Sequence, residues 1–305
     1  MVPRGQPPLV LLGPTGVGKT ALALALADRQ GTQILSADSR QVYRGMDVGT
    51  AKPTPEEQRR VPHHLIDLVN PDQPFTVADF QTLGSKAMGT LNQLGIPFLI
   101  VGGSPFYLYA LLGDFFLPSV PADPDLRRDL EKEADEKGLP TLQARLLSLD
   151  PDSAGKIHPN DRRRIIRALE VYLLSGRTRS SFSFGRMESI PFRLVGLAMG
   201  REDLRKRLVA RTTKMLQHGL VEEVHALLQR YPVTLRPLQS IGYRETIAYL
   251  EGQQDLEAAR ERIVAASMQF AKRQMTWFRR DPRIQWLELA AQFDPEKEAR
   301  QLMLG

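Results

Sequence analysis

The segment at 13–20 constrains the fold of this chain more than any other, because it sets glycines, a lysine and a threonine at fixed spacing. Its residues are Gly13, Pro14, Thr15, Gly16, Val17, Gly18, Lys19 and Thr20. This is the Gly, four residues, Gly, Lys, Ser/Thr pattern of a phosphate-binding loop. A short apolar run at 8–12 precedes it, and an Ala/Leu-rich stretch at 20–30 follows and stops at Gly31. A strand before the loop and a helix after it are the context that makes this pattern specific.

The residue types in the segment indicate how an anion would be held. Glycines let backbone N–H groups curl around a phosphate, and the helix that starts near Gly18 adds the positive end of its dipole. Lys19 supplies a point charge, and the hydroxyl of Thr20 can ligate Mg²⁺. The motif therefore predicts a phosphate or diphosphate site, but it does not say which reaction follows.

The rest of the chain alternates between strand and helix patterns. Apolar runs predict strands at 8–12, 33–37, 96–101 and 192–199, with helical patterns between them. Strands that alternate with helices predict an α/β fold with a parallel sheet. The remainder after the last of these strands reads as helical.

The middle of the chain reads differently, because it is almost all helical pattern. Helices are predicted at 126–138 and 141–149, and a third is capped by Asn160 or Asp161. The apolar side of the third helix is predicted to hold Ile165, Ile166, Leu169, Tyr172 and Leu173, and its polar side Arg163, Arg167 and Glu170. We therefore predict a catalytic core at 1–117 and 191–305 and a helical insertion domain at 118–190.

Composition narrows the class of protein. The 305 residues include no cysteine, which excludes disulfides, thiolate zinc sites and cysteine nucleophiles. No apolar stretch reaches the roughly 18 residues of a membrane-spanning helix, so we expect no membrane partner and a cytoplasmic location. The formal net charge is +6, and arginines and lysines cluster at 162–167, 201–211 and 272–280. Each cluster can be a solvated helix face, but three together favour a nucleic-acid partner.

Asp38 follows the predicted strand at 33–37 and is the only clear carboxylate at a strand end. Transfer of a γ-phosphate would also need a carboxylate to hold Mg²⁺ at a strand end. The strand at 96–101 ends in Gly102 and Gly103 instead. The lack of a carboxylate at the end of this strand argues against an ATPase or kinase but does not exclude one.

A long block at 36–53 carries a family resemblance. It reads Ser-Ala-Asp-Ser-Arg-Gln-Val-Tyr-Arg-Gly-Met-Asp-Val-Gly-Thr-Ala-Lys-Pro. Further blocks follow in order at 63–67, 101–103, 160–161 with 167–170, 241–243, and 271–274 with 276–277. Together with the phosphate loop, these resemble the tRNA dimethylallyltransferase family, also called tRNA isopentenyltransferases, over nearly the whole chain.

The resemblance implies a fold, a reaction and two substrates. It implies a P-loop NTPase-like core whose helical insert grips the anticodon stem-loop of tRNA. The dimethylallyl group of dimethylallyl diphosphate would move to N6 of the adenosine 3′ of the anticodon, position 37 in tRNA numbering. The tRNAs would read codons that begin with U, and the products would be N6-dimethylallyladenosine and diphosphate. Nothing in the sequence demands more than a monomer.

The resemblance also implies residue roles. Asp38 would be the general base, although a Mg²⁺ ligand or a turn cap is an alternative for it. Arg211 would bind the phosphates, with a surface arginine as the alternative, and Ser104 would contact substrate through its hydroxyl. The family usually has threonine at this position, followed by Gly-Leu, so the following Pro105 and Phe106 depart from its pattern.

The tRNA contacts are predicted on several segments, and for each arginine a solvated helix face is the alternative. Besides Asp38 and Ser104, the predicted contacts are Ser39, Arg40, Gln41, Arg127, Asp161, Arg162, Arg163, Arg164, Gln239, Ser240, Ile241, Gly242, Tyr243 and Arg244. His63 and His64 belong to a matching block, and for them a packing or hydrogen-bonding role is favoured over a metal site.

Two other functions share some of these features. A small-molecule or nucleoside kinase would share the loop and the fold, but it would not explain the block at 36–53 or the basic clusters. A non-catalytic RNA-binding protein with a vestigial nucleotide fold would not need Gly18, Lys19, Thr20 and Asp38 intact. The loop can also bind ATP adventitiously, which the motif alone cannot separate from a role in the reaction.

Overall fold

The computed structural model describes residues 7–113, 120, 122–181 and 191–304, and the chain divides into two compact units. The core unit is Met1–Leu112 with Ile190–Gly305, and the insert unit is Gly113–Ser189. The boundaries predicted from the sequence, at 117/118 and 190/191, fall on or beside residues 117, 118 and 190, which lie outside the described residues. No helix among the described residues is long and apolar enough to cross a membrane.

One parallel sheet organises the core unit. Its strands are β1 (Leu9–Leu12), β2 (Gln33–Ala37), β3 (His63–His64), β4 (Phe98–Gly102), β5 (Arg193–Met199) and β6 (Gln285–Leu289). Their order across the sheet is β3-β2-β4-β1-β5-β6, and every pair is parallel. Val10, Leu11 and Leu12 are almost fully buried, as expected for a central parallel strand that is covered on both faces. The predicted α/β fold with a parallel sheet is confirmed.

Helices pack around this sheet. In the core unit they are α1 (Lys19–Gln30), α2 (Pro55–Arg60), α3 (Val77–Gln93), α4 (Pro105–Leu111), α9 (Arg201–Gln217), α10 (Leu220–Leu228), α11 (Tyr243–Leu250), α12 (Leu256–Phe278) and α13 (Pro295–Leu304). In the insert unit they are α5 (Pro124–Lys137), α6 (Leu139–Leu149), α7 (Pro151–Lys156) and α8 (Arg162–Ser175). Helix α1 is buried over six consecutive residues, from Leu22 to Ala27. Its alternating alanines and leucines let it pack between the sheet and α13, where Ala299 is fully buried.

The strand order places the loops that carry the chemistry at one edge. β1 pairs with β4, and β4 pairs with β2, so the loops that follow these three strands leave the same, C-terminal edge of the sheet. They are the phosphate loop, the segment that begins at Asp38, and the segment Gly103–Ser104. Gly102 permits the close pairing, because a Cβ there would lie 2.3 Å from the carbonyl oxygen of Ala37.

Two predictions about the core unit were incomplete. The segment after β5 is not wholly helical, since β6 pairs with β5 at the edge of the sheet. Most of β6 is solvent-exposed and only Leu289 is buried, so its sequence lacks the continuous apolar run that identified the other strands. β3 is only two residues long, which is too short for a periodic pattern.

The insert unit has its own small apolar core, which includes Leu130, Leu142, Leu146, Ile165 and Leu169. The predicted third helix is α8, and Asp161 caps it by accepting a hydrogen bond from the Arg164 amide at 3.1 Å. The predicted faces of α8 were partly wrong. Leu173 is 40% exposed, whereas Glu170 is fully buried.

The burial of Glu170 has a clear cause. Its Oε1 accepts the Asp123 amide at 2.8 Å, and its Oε2 accepts Arg127 Nη2 at 2.8 Å and Arg167 Nη1 at 2.5 Å. Burial alone would raise the pKa of this carboxyl, but these hydrogen bonds lower it on balance. A buried charge is tolerated when it is paired and hydrogen-bonded in this way, and a helical period cannot reveal partners on another helix.

Candidate active site

The phosphate loop has the backbone conformation that its glycines predict. Gly16 and Gly18 have φ of +80° and +111°, and Gly18 is the N-cap of α1. Without a Cβ, glycine adopts these values at little cost. The loop also packs tightly, since a Cβ on Gly13 would lie 2.6 Å from the carbonyl oxygen of Leu197. The amides at the start of α1 are therefore presented around one concave turn.

Lys19 folds back over the loop. Its Nζ donates hydrogen bonds to the carbonyl oxygens of Gly13 at 2.9 Å and Pro14 at 2.8 Å. Burial lowers the pKa of Lys19 to about 8, the negative charge of Asp38 opposes that shift, and the positive charge of Arg211 adds to it. Lys19 is therefore within electrostatic reach of both residues.

Helix α9 fixes the other side of the loop. Arg211 Nη1 donates to Thr15 Oγ1 at 2.9 Å, and one turn earlier Arg207 Nε donates to the Gly16 carbonyl oxygen at 3.1 Å. Burial lowers the pKa of Arg211, and Asp38 opposes this shift. The basic cluster at 201–211 thus has two parts. Arg207 and Arg211 serve the loop, whereas Arg201, Arg205 and Lys206 are exposed.

Gln274 joins the phosphate loop to the end of β4. Its Oε1 accepts the Thr15 amide at 2.9 Å, and its Nε2 donates to the Gly103 carbonyl oxygen at 2.6 Å. The side chain comes from α12 and is almost completely buried. The block at 271–274 belongs to the family resemblance, but no role was predicted for Gln274. The available signal was a polar residue in line with the apolar side of α12, three residues after Ala271 and four before Phe278.

Asp38 and Ser104 occupy neighbouring strand ends. Asp38 is partly buried, and its Oδ1 accepts the Arg40 amide at 2.8 Å. Ser104 Oγ accepts the Ser39 amide at 3.0 Å and donates to Ser39 Oγ at 3.2 Å. Ser104 is the N-cap of α4, but its hydroxyl makes no capping hydrogen bond. That hydroxyl instead ties the end of β4 to the segment that carries Asp38.

Gln41, predicted to read RNA, is engaged inside the protein. Ser36 Oγ donates to its Oε1 at 2.8 Å, and its Nε2 donates to the Ala51 carbonyl oxygen at 3.2 Å. A contact between Gln41 and a base stays a prediction, and it would require these bonds to be exchanged. In the conformation described, the amide links β2 to the loop at 47–52.

Two charged side chains hold that loop in place. Lys52 Nζ is buried and donates to the Tyr43 carbonyl oxygen at 2.8 Å and to Asp67 Oδ1 at 2.6 Å. Glu223, in the first turn of α10, accepts the backbone amides of 47, 48 and 49 at 2.9, 2.7 and 3.1 Å. The segment that follows Asp38 is therefore fixed at several points, none of which was predicted from the sequence.

Tyr243 completes this anchor. Its hydroxyl donates to Glu223 Oε1 at 2.7 Å, and its side chain is fully buried. Its ring also packs against Gly49, where a Cβ would lie 2.5 Å from the ring. The prediction that Tyr243 itself contacts tRNA therefore does not fit this conformation, since no surface of its side chain is available. In the same segment Gln239 and Arg244 are exposed, Ser240 and Ile241 are partly buried, and Gly242 is buried.

Three of the four arginines of the insert unit that are predicted to bind tRNA form ion pairs with carboxylates. Arg127 pairs with Glu170 at 2.8 Å, Arg162 with Asp135 at 2.5 Å, and Arg164 with Asp161 at 3.3 Å. Arg163 and Arg164 are exposed. The partners of Arg162 and Arg164 are at least partly exposed, and ion pairs at an exposed surface contribute little to stability. These two guanidinium groups can therefore exchange a carboxylate for a phosphate at small cost, whereas Arg127 is held by the buried Glu170.

His63 and His64 have local partners. His63 Nδ1 lies 2.7 Å from the Val61 carbonyl oxygen, and His64 Nε2 lies 2.6 Å from Gln33 Oε1. Burial lowers the pKa of both imidazoles. The expected hydrogen-bonding role fits these contacts. In the part of the chain that the structure describes, no group of three or more His, Cys, Asp or Glu side chains is arranged to hold a metal ion.

Comparison with known proteins agrees with the sequence resemblance. A family model described as IPP transferase matches residues 41–281, and one described as isopentenyl transferase matches residues 9–67. A tRNA dimethylallyltransferase of Geobacter metallireducens is 47% identical over 290 residues, which cover 94% of each chain. One from Gloeobacter violaceus is 47% identical over 283 residues, covering 93% of this chain and 92% of the relative.

Solved structures give the same result. The crystal structure of a tRNA isopentenylpyrophosphate transferase from Bacillus halodurans has a TM-score of 0.69 at 37% identity, covering 97% of this chain and 94% of that one. A eukaryotic dimethylallyltransferase acting on tRNA has a TM-score of 0.82 at 28% identity, covering 97% of this chain and 77% of that one. The predicted family is confirmed.

Proposed function

This chain belongs to the IPP transferase family, that of the tRNA dimethylallyltransferases, and from that premise we propose the reaction it catalyses. It transfers the dimethylallyl group of dimethylallyl diphosphate to N6 of adenosine 37 in tRNAs that read codons beginning with U. The products are N6-dimethylallyladenosine and diphosphate. The observation that carries the proposal is the convergence of a phosphate loop, a strand-end carboxylate and Arg211 at one edge of the sheet.

The diphosphate of the donor would bind in the phosphate loop. The amides that open α1, the ammonium of Lys19 and the guanidinium of Arg211 all carry positive charge toward this turn. As the bond between the allylic carbon and the diphosphate oxygen breaks, negative charge grows on the leaving oxygen. These groups stabilise that charge in a partly buried site, where electrostatic interactions are stronger than in water.

Asp38 would act at the acceptor end. The lone pair of the exocyclic amine of adenine is delocalised into the ring, so the amine is a weak nucleophile. N6 forms the new C–N bond as the C–O bond breaks, and the carboxylate of Asp38 accepts the proton that N6 loses. General-base assistance of this kind contributes about 10²- to 10⁴-fold in rate. An adenine in an anticodon loop is stacked, so it must turn out of the stack to reach Asp38.

Mg²⁺ fits the donor set of this edge. The hydroxyl of Thr20 is a hard oxygen ligand, and Mg²⁺ is usually held by one or two such protein groups together with substrate phosphates. When bound, the ion would neutralise charge on the diphosphate.

Recognition of tRNA would involve both units. The insert unit would supply Arg127, Arg162, Arg163 and Arg164 for the backbone of the anticodon stem. The core unit would supply Ser39, Arg40 and the segment at 239–244 apart from the buried Tyr243. Phosphate contacts position a nucleic acid, and contacts with unstacked bases specify its sequence. All these groups come from one chain, so we propose that the protein acts as a monomer. We also propose that it acts in the cytoplasm.

Mass spectrometry of nucleosides tests this function. Unmodified tRNA is incubated with the protein, Mg²⁺ and dimethylallyl diphosphate, and is then digested. We expect one dimethylallyl group on adenosine, which does not form with ATP alone. If the tRNA stays unmodified while ATP is hydrolysed or its phosphate is transferred, the kinase alternative becomes the better description.

A further inference from the structure

Two aromatic side chains follow closely, in the sequence, residues that build the site, and the reaction described above assigns them no role. Phe106 is 48% exposed and lies two residues after Ser104. Trp277 is partly buried and lies three residues after Gln274 on α12. Their ring centroids are 5.1 Å apart, and the rings meet edge to face at 62°.

The backbone around both residues is anchored to the site. Ser104 Oγ bonds Ser39, next to the catalytic Asp38, and Gln274 bonds both Gly103 and the phosphate loop. Phe106 and Trp277 therefore cannot be far from the place where the acceptor base must arrive. Phe106 lies on the first turn of α4, and together with the ring of Trp277 it presents aromatic surface to the solvent two residues after Ser104.

The surroundings indicate which partner fits this surface. Arg273 lies four residues before Trp277 on α12, so helical spacing sets it on the side of the helix that carries Trp277. Arg273 is exposed, as are Lys272 and, at and just beyond the C-terminus of the helix, Arg279 and Arg280. Proteins hold single-stranded nucleic acid with aromatic rings that stack on bases and cations that meet the backbone.

From this arrangement we infer that Phe106, supported by Trp277, is a stacking platform for an unpaired nucleobase that neighbours the target adenosine in the anticodon loop. This inference rests on the proposed function. When the target adenosine turns out toward Asp38, its neighbour loses a stacking partner. The ring of Phe106 replaces that partner, while the edge contact with Trp277 holds the ring in one orientation.

A leucine at position 106 would offer no flat face for stacking. Phe106→Leu is therefore a well-matched variant, since it keeps an apolar side chain of similar reach. Phe106→Tyr keeps the ring, and Phe106→Ala removes it. Leu94→Ala, at an exposed leucine next to the C-terminus of α3, is the control for loss of a surface apolar group.

Steady-state kinetics with a synthetic anticodon stem-loop tests the inference. We expect Phe106→Ala to raise the KM for the stem-loop about 5- to 150-fold, which corresponds to the loss of one base–aromatic stack. The KM for dimethylallyl diphosphate should hardly change. Phe106→Leu should lie close to Phe106→Ala, and Phe106→Tyr close to the wild type. With a stem-loop made abasic at the neighbouring position, wild type and Phe106→Ala should converge.

Several results would overturn the inference. One is an active Phe106→Ala enzyme with an unchanged KM for the stem-loop. Another is a rise confined to the KM for dimethylallyl diphosphate, which would mean that the ring contacts the prenyl group. If Phe106→Ala does not fold, the fluorescence of Trp277 can be used to detect binding of the stem-loop. In a Trp286→Phe variant, Trp277 is the only tryptophan of the chain. Its fluorescence should change when the stem-loop is added, and no change would contradict the platform.

The same design separates this inference from the proposed function. A protein that binds the stem-loop with a change in Trp277 fluorescence but never modifies it would disprove the reaction and leave the platform standing. If the protein modifies the stem-loop and substitutions at residue 106 do not change turnover, the proposed reaction stands and the platform is disproved.

Discussion

Gln274 Nε2 donates to the carbonyl oxygen of Gly103 over 2.6 Å, and through this bond the longest helix of the core unit holds the end of the central strand β4. The other end of the same amide accepts the backbone N–H of Thr15 at 2.9 Å. One buried side chain therefore sets the distance between the phosphate loop and the strand end that carries Ser104.

Gln274→Glu should loosen the phosphate loop. The carboxylate can still accept the Thr15 amide, but its second oxygen would face the Gly103 carbonyl oxygen with no proton between them. Leaving buried polar groups unsatisfied costs about 1–3 kcal/mol. We expect the KM for dimethylallyl diphosphate to rise about 5- to 150-fold, as measured by steady-state kinetics. Gln269→Glu, at an exposed position of α12, is the matched control. Equal KM values in the two variants would contradict this role.

Asp38→Asn should affect the chemical step. The amide keeps the size of the side chain and can still accept the Arg40 amide, but it cannot accept the proton of N6. We expect kcat to fall about 10²- to 10⁴-fold, while the KM for dimethylallyl diphosphate changes little. Single-turnover assays measure this directly, with the exposed Asp72→Asn as control. Near-normal turnover in Asp38→Asn would exclude the general-base role.

The pKa of Lys19, at about 8 in the free protein, predicts a pH dependence. Diphosphate binding uses the protonated amine, so kcat/KM for dimethylallyl diphosphate should fall as the pH rises through about 8. The profile of kcat should lack this limb, because bound diphosphate favours the charged form and raises the pKa. Lys19→Arg keeps a charge that does not titrate in this range. The Lys19→Arg variant should be less active, and its kcat/KM should not fall near pH 8. If kcat/KM still falls near pH 8 in this variant, another group is responsible for the titration.

Glu170→Gln should destabilise the insert unit. Two arginines and one backbone amide donate to this buried carboxylate, and removing one partner of a buried pair costs about 3–5 kcal/mol. Because both arginines are partly exposed, we expect the lower end of that range, measured by calorimetry. Glu131→Gln, which removes an exposed partner of Arg162, should cost under about 1 kcal/mol.

The hydrogen bonds of Glu170 also predict that the stability of the protein depends on pH. The pKa of Glu170 is lowered in the folded state, so its contribution to stability is present above the pKa of the unfolded chain. That contribution is lost as the pH falls through the folded value. The stability of Glu170→Gln should therefore fall less steeply than that of the wild type below about pH 4. Parallel curves for the two proteins would contradict the assignment.

The sequence alone determined the phosphate loop, the α/β class and the family. The roles of the glycines, Lys19 and Thr20 depend on backbone conformation and on spacing within the loop. Both are determined by residues that are adjacent in the sequence. The long apolar runs of β1, β2, β4 and β5 likewise identify buried strands. Asp38 could be singled out because it is the first polar residue after such a strand.

Only the tertiary structure decided which distant side chains meet. Gln274 lies 171 residues from Gly103 in the sequence, and Glu223 lies more than 170 residues from the loop at 47–49 that it holds. The periodicity of the sequence does not identify such distant partners. It also does not distinguish a buried glutamate such as Glu170 from an exposed one. The burial of a polar group depends on the donors that other elements bring to it, and those donors are set by packing rather than by neighbours in the chain.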